Sequence, residues 1–180
     1  MKKTKILPLV LIVLVMLVVA SAAYAKPALA PNFGASLSGA EEVPPRATDA
    51  SGSASFQLNK DGTLSYSVFV DDIENVFAAH IHCGAMGANG PVGVTLFMGT
   101  PGSGPISGTL AKGTITAPDA GNGCGWADLA AVVAAMNSGN TYVNVHTNDG
   151  VAPPNTGPGD FPGGEIRGQI NMITSGGKGK

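Results

Sequence analysis

Three histidines are the residues of this sequence whose type and spacing best suit metal chemistry. His80 and His82 are separated by one residue, and His146 lies in a second segment of strand-like composition. Because side chains alternate along a strand, His80 and His82 share one face, with their backbones about 6.5–7 Å apart. Two imidazoles at this spacing can bind one ion, and a third from a neighbouring strand would complete the site. Imidazole favours copper, zinc, nickel or iron.

The periodicity of these two segments places every histidine opposite an apolar face. In residues 76–83, the face opposite the histidines carries Phe77, Ala79, Ile81 and Cys83. In residues 141–147, His146 shares its face with Tyr142 and Asn144. We therefore expect the three histidines on the outer face of the sheet, beneath the Gly- and Pro-rich segment 148–164. The alternative is that they are solvated or bind loop backbone, without a metal.

The N-terminal residues have the order typical of a secretory signal peptide. Residues 1–5 include three lysines, residues 6–20 are apolar with one proline, and Ala23-Tyr24-Ala25 forms a cleavage motif. We predict a signal peptide over residues 1–25, cleaved after Ala25, and a protein that is secreted, periplasmic or on the cell surface. An uncleaved membrane anchor is the alternative. After cleavage, no attachment to a membrane is expected.

The two cysteines, Cys83 and Cys124, are predicted to form a disulfide. An even number of cysteines in an exported chain favours this pairing. It would tie the end of the first histidine strand to the loop before a predicted helix. In the alternative, Cys83 binds a metal with His80 and His82, but alternation directs its side chain to the other face.

Composition excludes several classes of function. The formal net charge is −2, and charged residues make up only 12% of the chain. A nucleic-acid-binding protein needs a basic surface, which this balance does not provide. The 26 glycines and 13 prolines indicate dense turns, whereas the hydrophobic fraction of 44% is sufficient for a folded core.

Apolar alternation predicts an all-β fold, an antiparallel, Greek-key-like sandwich or barrel with one short helix. The strand-like runs cover residues 33–37, 54–58, 64–70, 76–83, 91–97, 106–117, 141–147 and 165–172. Asp61-Gly62 predicts a hairpin turn. Apolar residues at spacings of three and four predict the helix over residues 128–136. We divide the chain into a signal peptide (1–25), a linker (26–32), a domain (33–172) and a flexible tail (173–180).

Four sequence blocks resemble the CHRD (chordin) domain family. They are Leu37–Pro45 (LSGAEEVPP), Ala78–Gly84 (AAHIHCG) continuing to Asn89–Val92, Tyr142–Thr147 (YVNVHT) and Pro162–Ile170 (PGGEIRGQI). By this resemblance the chain is identified as a stand-alone, microbial-type member. The resemblance implies an extracellular, β-rich domain. In animal chordins such domains belong to proteins that sequester secreted growth factors, but no residues of this chain mark that interface.

A second likeness, in architecture, is to Cu/Zn superoxide dismutase. There, comparable histidines bind copper on the outer face of a β-sandwich under long loops, and His80, His82 and His146 resemble them in order and strand placement. No further histidine is present for a bridging ligand or a zinc subsite. A fourth ligand would have to be water, Asp149, Asp160 or a similar group.

Two functions are therefore expected. The first is an exported, non-enzymatic binding module whose partner is an unknown extracellular protein or surface component, without catalytic residues. The second is a metal-binding (copper or zinc) or redox protein that uses His80, His82 and His146. A purely structural surface domain is a third possibility. Glu165 and Arg167, which share a strand face, are predicted to form a modest surface ion pair.

Overall fold

The computed structural model describes residues 32–173, which fold into nine antiparallel strands and one α-helix. The strands are β1 (Asn32–Ser38), β2 (Ser51–Leu58), β3 (Leu64–Glu74), β4 (Val76–Cys83), β5 (Val92–Met98), β6 (Pro105–Ile115), β7 (Thr141–Thr147), β8 (Ile166–Gln169) and β9 (Asn171–Ile173). Helix α1 spans Leu129–Asn137, and a short 3₁₀ turn spans Gly39–Glu41. The all-β prediction with one short helix is confirmed. The predicted signal peptide, and nearly all of the predicted linker and tail, lie outside the described residues.

The strands form one sheet in the order β5-β4-β7-β8-β1-β2-β3-β6, with β9 paired to β1. This order is not sequential, because the chain crosses over between β3 and β4 and between β6 and β7. The sheet curls until its two ends approach, where the Tyr66 hydroxyl on β3 donates to the Leu96 carbonyl on β5 at 2.8 Å. The result is a nearly closed barrel or sandwich that places β4 beside β7.

The core fills the inside of this curled sheet with alternate residues of each strand. In β2 and β3 these are Ala54, Phe56, Leu64, Val68 and Val70, all buried. The predicted hairpin between these strands is present, with Gly62 at φ +84° in the turn. A positive φ suits glycine because it has no Cβ, which explains the Asp-Gly signal.

Helix α1 covers part of the core. The Asp128 side chain caps its N-terminus by accepting a hydrogen bond from the Ala131 N–H at 2.9 Å. Its buried residues, Leu129, Val132 and Met136, have the predicted helical spacing. Within residues 32–173, no helix is both long enough and apolar enough to cross a membrane.

A β-bulge interrupts the alternation at the start of β4. The register between β4 and β7 shifts between Val76 and Ala78. As a result, Val76 packs in the core, whereas the Phe77 ring lies against His146 with ring centroids 6.2 Å apart. The prediction that Phe77 belongs to the apolar face is therefore wrong, and the bulge is the reason. Beyond the bulge, Ala79 and Ile81 point into the core as predicted.

Candidate metal centre

Pairing of β4 with β7 brings the three histidines together on the outer face of the sheet. His146 lies opposite Ala78, and His82 lies opposite Tyr142. The ring centroids of His80 and His146 are 5.0 Å apart, those of His82 and His146 are 5.6 Å apart, and those of His80 and His82 are 5.7 Å apart. One ring nitrogen from each histidine lies within 4.8 Å of the other two. The expected convergence of the three side chains is therefore present.

Backbone carbonyls orient two of the three rings. Nδ1 of His82 is 2.9 Å from the Gly90 carbonyl, and Nδ1 of His146 is 3.0 Å from the Pro162 carbonyl. Because a carbonyl can only accept, Nδ1 carries the hydrogen in both rings and Nε2 keeps its lone pair.

One buried nitrogen of each of the three rings has no hydrogen-bond partner. The three nitrogens are Nδ1 of His80 and Nε2 of His82 and His146. Buried polar atoms are normally hydrogen-bonded, so three unpartnered nitrogens in one cluster need an explanation. A bound cation would satisfy all three.

Burial favours the neutral form of all three imidazoles. It lowers the pKa of His82 to about 4 and that of His146 to about 3, because a buried charge loses its hydration. Burial also lowers the pKa of His80, although the nearby Asp119 carboxylate acts in the opposite direction. The neutral imidazole is the form that binds a metal ion.

The cluster is closed on one side and open on the other. His82 and His146 are buried, whereas His80 is partly exposed. Among the described residues, the cluster contains no carboxylate and no cysteine. Asp149 and Asp160 are engaged in their own loop, where they accept from the Val151 N–H at 2.8 Å and from Thr156 at 3.0 Å. Neither aspartate has an oxygen among the clustered ligand atoms, so neither is placed as the fourth ligand, and the open side is available to water or a small ligand.

The segment after β7 covers the outer face of that strand at its His146 end. Every residue of β7 is buried, on both faces. The Pro162 carbonyl bonds His146, and Phe161 is also buried. Alternation predicts that Tyr142, Asn144 and His146 share a face, and the sequence led us to expect segment 148–164 above the histidines. The Pro162 carbonyl of that segment does contact His146.

Glu165 fastens this covering segment to the domain. Its Oε1 accepts from the Thr48 hydroxyl at 2.6 Å, and its Oε2 accepts from the Thr147 hydroxyl at 2.6 Å and from the Gly159 N–H at 2.9 Å. The carboxylate is 1% exposed and has no contact with Arg167 among these bonds. The expected surface ion pair is therefore wrong, because both side chains are buried and each has its own partners.

Arg167 and Tyr142 form a stack beside His82. The Tyr142 ring lies parallel to the His82 ring, with centroids 4.9 Å apart and an interplanar angle of 11°. The Arg167 guanidinium lies 3.4 Å from the centre of the Tyr142 ring. Sequence reasoning assigned neither residue to the site, although both lie in blocks that resemble the CHRD family.

A second buried carboxyl lies near Arg167. Burial raises the pKa of Glu42 to about 7, although the positive charges of Arg167 and Arg46 act to lower it. Glu42 accepts a long hydrogen bond of 3.5 Å from the Asn144 amide. A Cβ at Gly164, which has φ +127°, would collide with both of these side chains. The chain therefore needs glycine at this position.

The predicted disulfide is present. Cys83 and Cys124 are bonded, with their Cα atoms 5.7 Å apart. Cys83 is therefore not a metal ligand. The bond closes a loop that begins directly after the histidine strand β4, and the Cys83 N–H also donates to the Pro91 carbonyl at 3.2 Å.

A comparison with models of protein families identifies the family of this chain. A family model described as the CHRD domain matches residues 33–170, most of the chain. The chain belongs to the CHRD domain family. The matched residues of this CHRD domain include the three histidines, both cysteines, Tyr142 and Arg167. CHRD domains are extracellular, and the disulfide is consistent with an oxidising environment. No curated protein and no solved structure matches the chain.

Proposed function

We propose that this CHRD domain binds one copper or zinc ion through His80, His82 and His146. The observation that carries the proposal is the cluster of three histidines. One ring nitrogen of each lies within 4.8 Å of the other two, and each ring has one buried nitrogen without a hydrogen-bond partner. The nitrogens available to the ion are Nδ1 of His80 and Nε2 of the other two.

The donor set fits these metals. Imidazole nitrogens bind zinc at about 2.0–2.1 Å, so a bound ion would require the three rings to approach each other slightly. Copper(II) exceeds zinc in the usual affinity order for nitrogen ligands, so copper is expected to bind more tightly. Both hydrogen-bonded histidines donate Nδ1–H to a carbonyl, an arrangement that fixes the ring and increases the basicity of Nε2.

The partly exposed side at His80 supports a coordination position open to solvent. Three protein ligands plus an open position are typical of reactive rather than purely structural metal sites. When bound, zinc would supply a Lewis acid there, and copper would supply a one-electron redox centre. The protein's own contribution is to hold three neutral imidazoles and to cover the His146 side against water.

We further propose that the domain acts outside the cytoplasm, after removal of residues 1–25. The N-terminal lysines, the apolar run and the Ala23-Tyr24-Ala25 motif support this, together with the disulfide. A binding module for an extracellular protein or surface component is compatible with this location. No surface patch among residues 32–173 specifies such a partner.

Calorimetric titration of the metal-free protein with copper(II) and with zinc(II) tests the metal proposal. The wild type should bind one ion per chain, and His82→Ala should lose most of this affinity. Asp149→Asn is the matched control, because it changes a carboxylate of segment 148–164 that lies outside the cluster, so this variant should bind as the wild type does. Equal binding by the wild type and by His82→Ala would overturn the proposal.

A further inference from the structure

We propose that Tyr142 and Arg167 are positioning residues that hold His82 in its metal-binding orientation, acting through residues 84–91. This inference rests on the proposed metal site, and it assigns a role to two residues that do not themselves reach the three ligand nitrogens.

Tyr142 fixes the ring of His82 in two ways. Its own ring stacks on the imidazole, with centroids 4.9 Å apart. Its hydroxyl accepts from the Gly90 N–H at 3.0 Å and donates to the Gly90 carbonyl at 3.3 Å, and the same carbonyl accepts from Nδ1 of His82 at 2.9 Å. Gly90 therefore connects the Tyr142 hydroxyl to the hydrogen bond that sets the tautomer of His82.

Arg167 binds other residues of the loop formed by residues 84–91. Its guanidinium donates to the Ala88 carbonyl at 2.9 Å, to the Ala85 carbonyl at 3.4 Å and to the Asn89 side-chain oxygen at 3.1 Å. Strands β4 and β8 flank β7, so His82 and Arg167 approach the Tyr142 ring from opposite sides. The three side chains thus form one stack, with the loop bonded to both ends.

The burial of Arg167 is difficult to explain by stability alone. The side chain is 2% exposed, and its hydrogen bonds run to neutral oxygens rather than to a carboxylate. Burying a charge is costly, and an apolar side chain of similar volume often stabilises such a position as well or better. The guanidinium group is planar and has five N–H donors. It can therefore stack on an aromatic ring and bind three loop oxygens at once, which suits a role in fixing the geometry of that loop.

His82 depends on this arrangement more than the other two histidines do. His146 is oriented by the Pro162 carbonyl, in a segment that Glu165 fastens separately. Partners of this kind around a metal-ligating histidine typically contribute 10–100-fold to metal affinity, so losing the Tyr142 hydroxyl should weaken copper binding by about tenfold or more.

The test compares Tyr142→Phe with Tyr66→Phe. The first variant keeps the stacked ring and removes the hydroxyl that bonds Gly90. The second removes a hydroxyl that bonds the Leu96 carbonyl at 2.8 Å, away from the histidines, and so reports the structural cost of losing a tyrosine hydrogen bond. Arg167→Lys keeps the positive charge but lacks the planar guanidinium group. It therefore tests whether that group holds the loop of residues 84–91.

Two readouts are taken. In metal-free protein, nitrogen NMR of His82 should show a single Nδ1–H tautomer in the wild type and in Tyr66→Phe, and a mixture of tautomers in Tyr142→Phe. With copper(II), Tyr142→Phe and Arg167→Lys should show the weaker affinity and an altered electron paramagnetic resonance spectrum, unlike Tyr66→Phe.

The outcomes separate the two proposals. An unchanged His82 tautomer in Tyr142→Phe overturns the positioning role, whatever the copper measurements show. An unchanged copper affinity and spectrum in folded Tyr142→Phe overturn it too. A wild type that binds no copper or zinc overturns the proposed function, whereas the tautomer measurement still decides the role of Tyr142.

Discussion

Thr147 donates a hydrogen bond of 2.6 Å to the carboxylate of Glu165, and both side chains are buried. The same hydroxyl oxygen accepts from the Phe161 N–H at 3.0 Å. Thr147 is thus one of the points at which the segment over His146 is attached to strand β7, together with His146 itself. One threonine hydroxyl and one carboxylate therefore contribute to holding the cover of the histidine cluster.

Replacing this threonine by the nearly isosteric Thr147→Val should destabilise the domain by about 3 kcal/mol. The change leaves a buried carboxylate short of one donor and a buried N–H without an acceptor, and each such loss is costly. Urea unfolding measures the difference. Thr114→Val, on an exposed position of β6, is the control and should change stability by less than about 0.5 kcal/mol. A loss as small as that of the control would show that Thr147 does not anchor the segment.

Alternation predicted which side chains share a face of β4 and β7. His80 and His82 were placed together because every second residue of a strand points the same way. The rule failed for Phe77, because a bulge depends on how β4 pairs with a strand more than 60 residues away, and the local pattern carries no signal of it. The position of Ile81 was predictable because the pattern there is undisturbed.

The burial of Glu165 and Arg167 was not predictable from the local sequence pattern. Glu165 and Arg167 have the spacing of an exposed pair, yet each is buried by partners that are distant in sequence. Thr48 is 117 residues from Glu165, and Asn89 is 78 residues from Arg167. The burial that lowers the pKa of His146 arises from such long-range contacts, so the neutral state of the candidate ligands follows from the tertiary structure.

Removing the disulfide with Cys83→Ser/Cys124→Ser should lower the free energy of unfolding by about 2–5 kcal/mol. The bond joins residues 41 apart in sequence, so its loss gives the unfolded chain more freedom. Urea unfolding of the variant measures this, and wild type treated with a dithiol reductant should approach the stability of the variant. Two titratable thiols in unreduced, unfolded wild type would contradict the bond itself.

Acidification should destabilise the metal-free domain. On folding, the pKa of His82 falls from 6.5 to about 4 and that of His146 falls from 6.5 to about 3. At a pH between the folded and the unfolded pKa of either residue, the unfolded state therefore binds more protons than the folded state. Stability from these two groups is complete above pH 6.5 and is lost as the pH falls. Glu42 acts in the opposite sense, because its pKa rises from 4.5 to about 7 and its contribution is lost as the pH rises through that range. On acidification the two histidines remove more stability than Glu42 adds. We therefore expect the free energy of unfolding to fall by about 1 kcal/mol per pH unit below pH 6.5.

Glu42→Gln separates these opposing contributions. The variant removes the carboxyl that gains protons on folding, so its stability should fall about twice as steeply with acidification as that of the wild type. The measurement is urea unfolding between pH 6.5 and about pH 4.5, the range set by the ordinary pKa values of histidine and glutamate, with a chelator present so that no metal contributes. Equal slopes for the two proteins would show that Glu42 ionises as freely in the folded domain as in the unfolded chain. A wild type whose stability did not change over this range would show that His82 and His146 are not held neutral by burial.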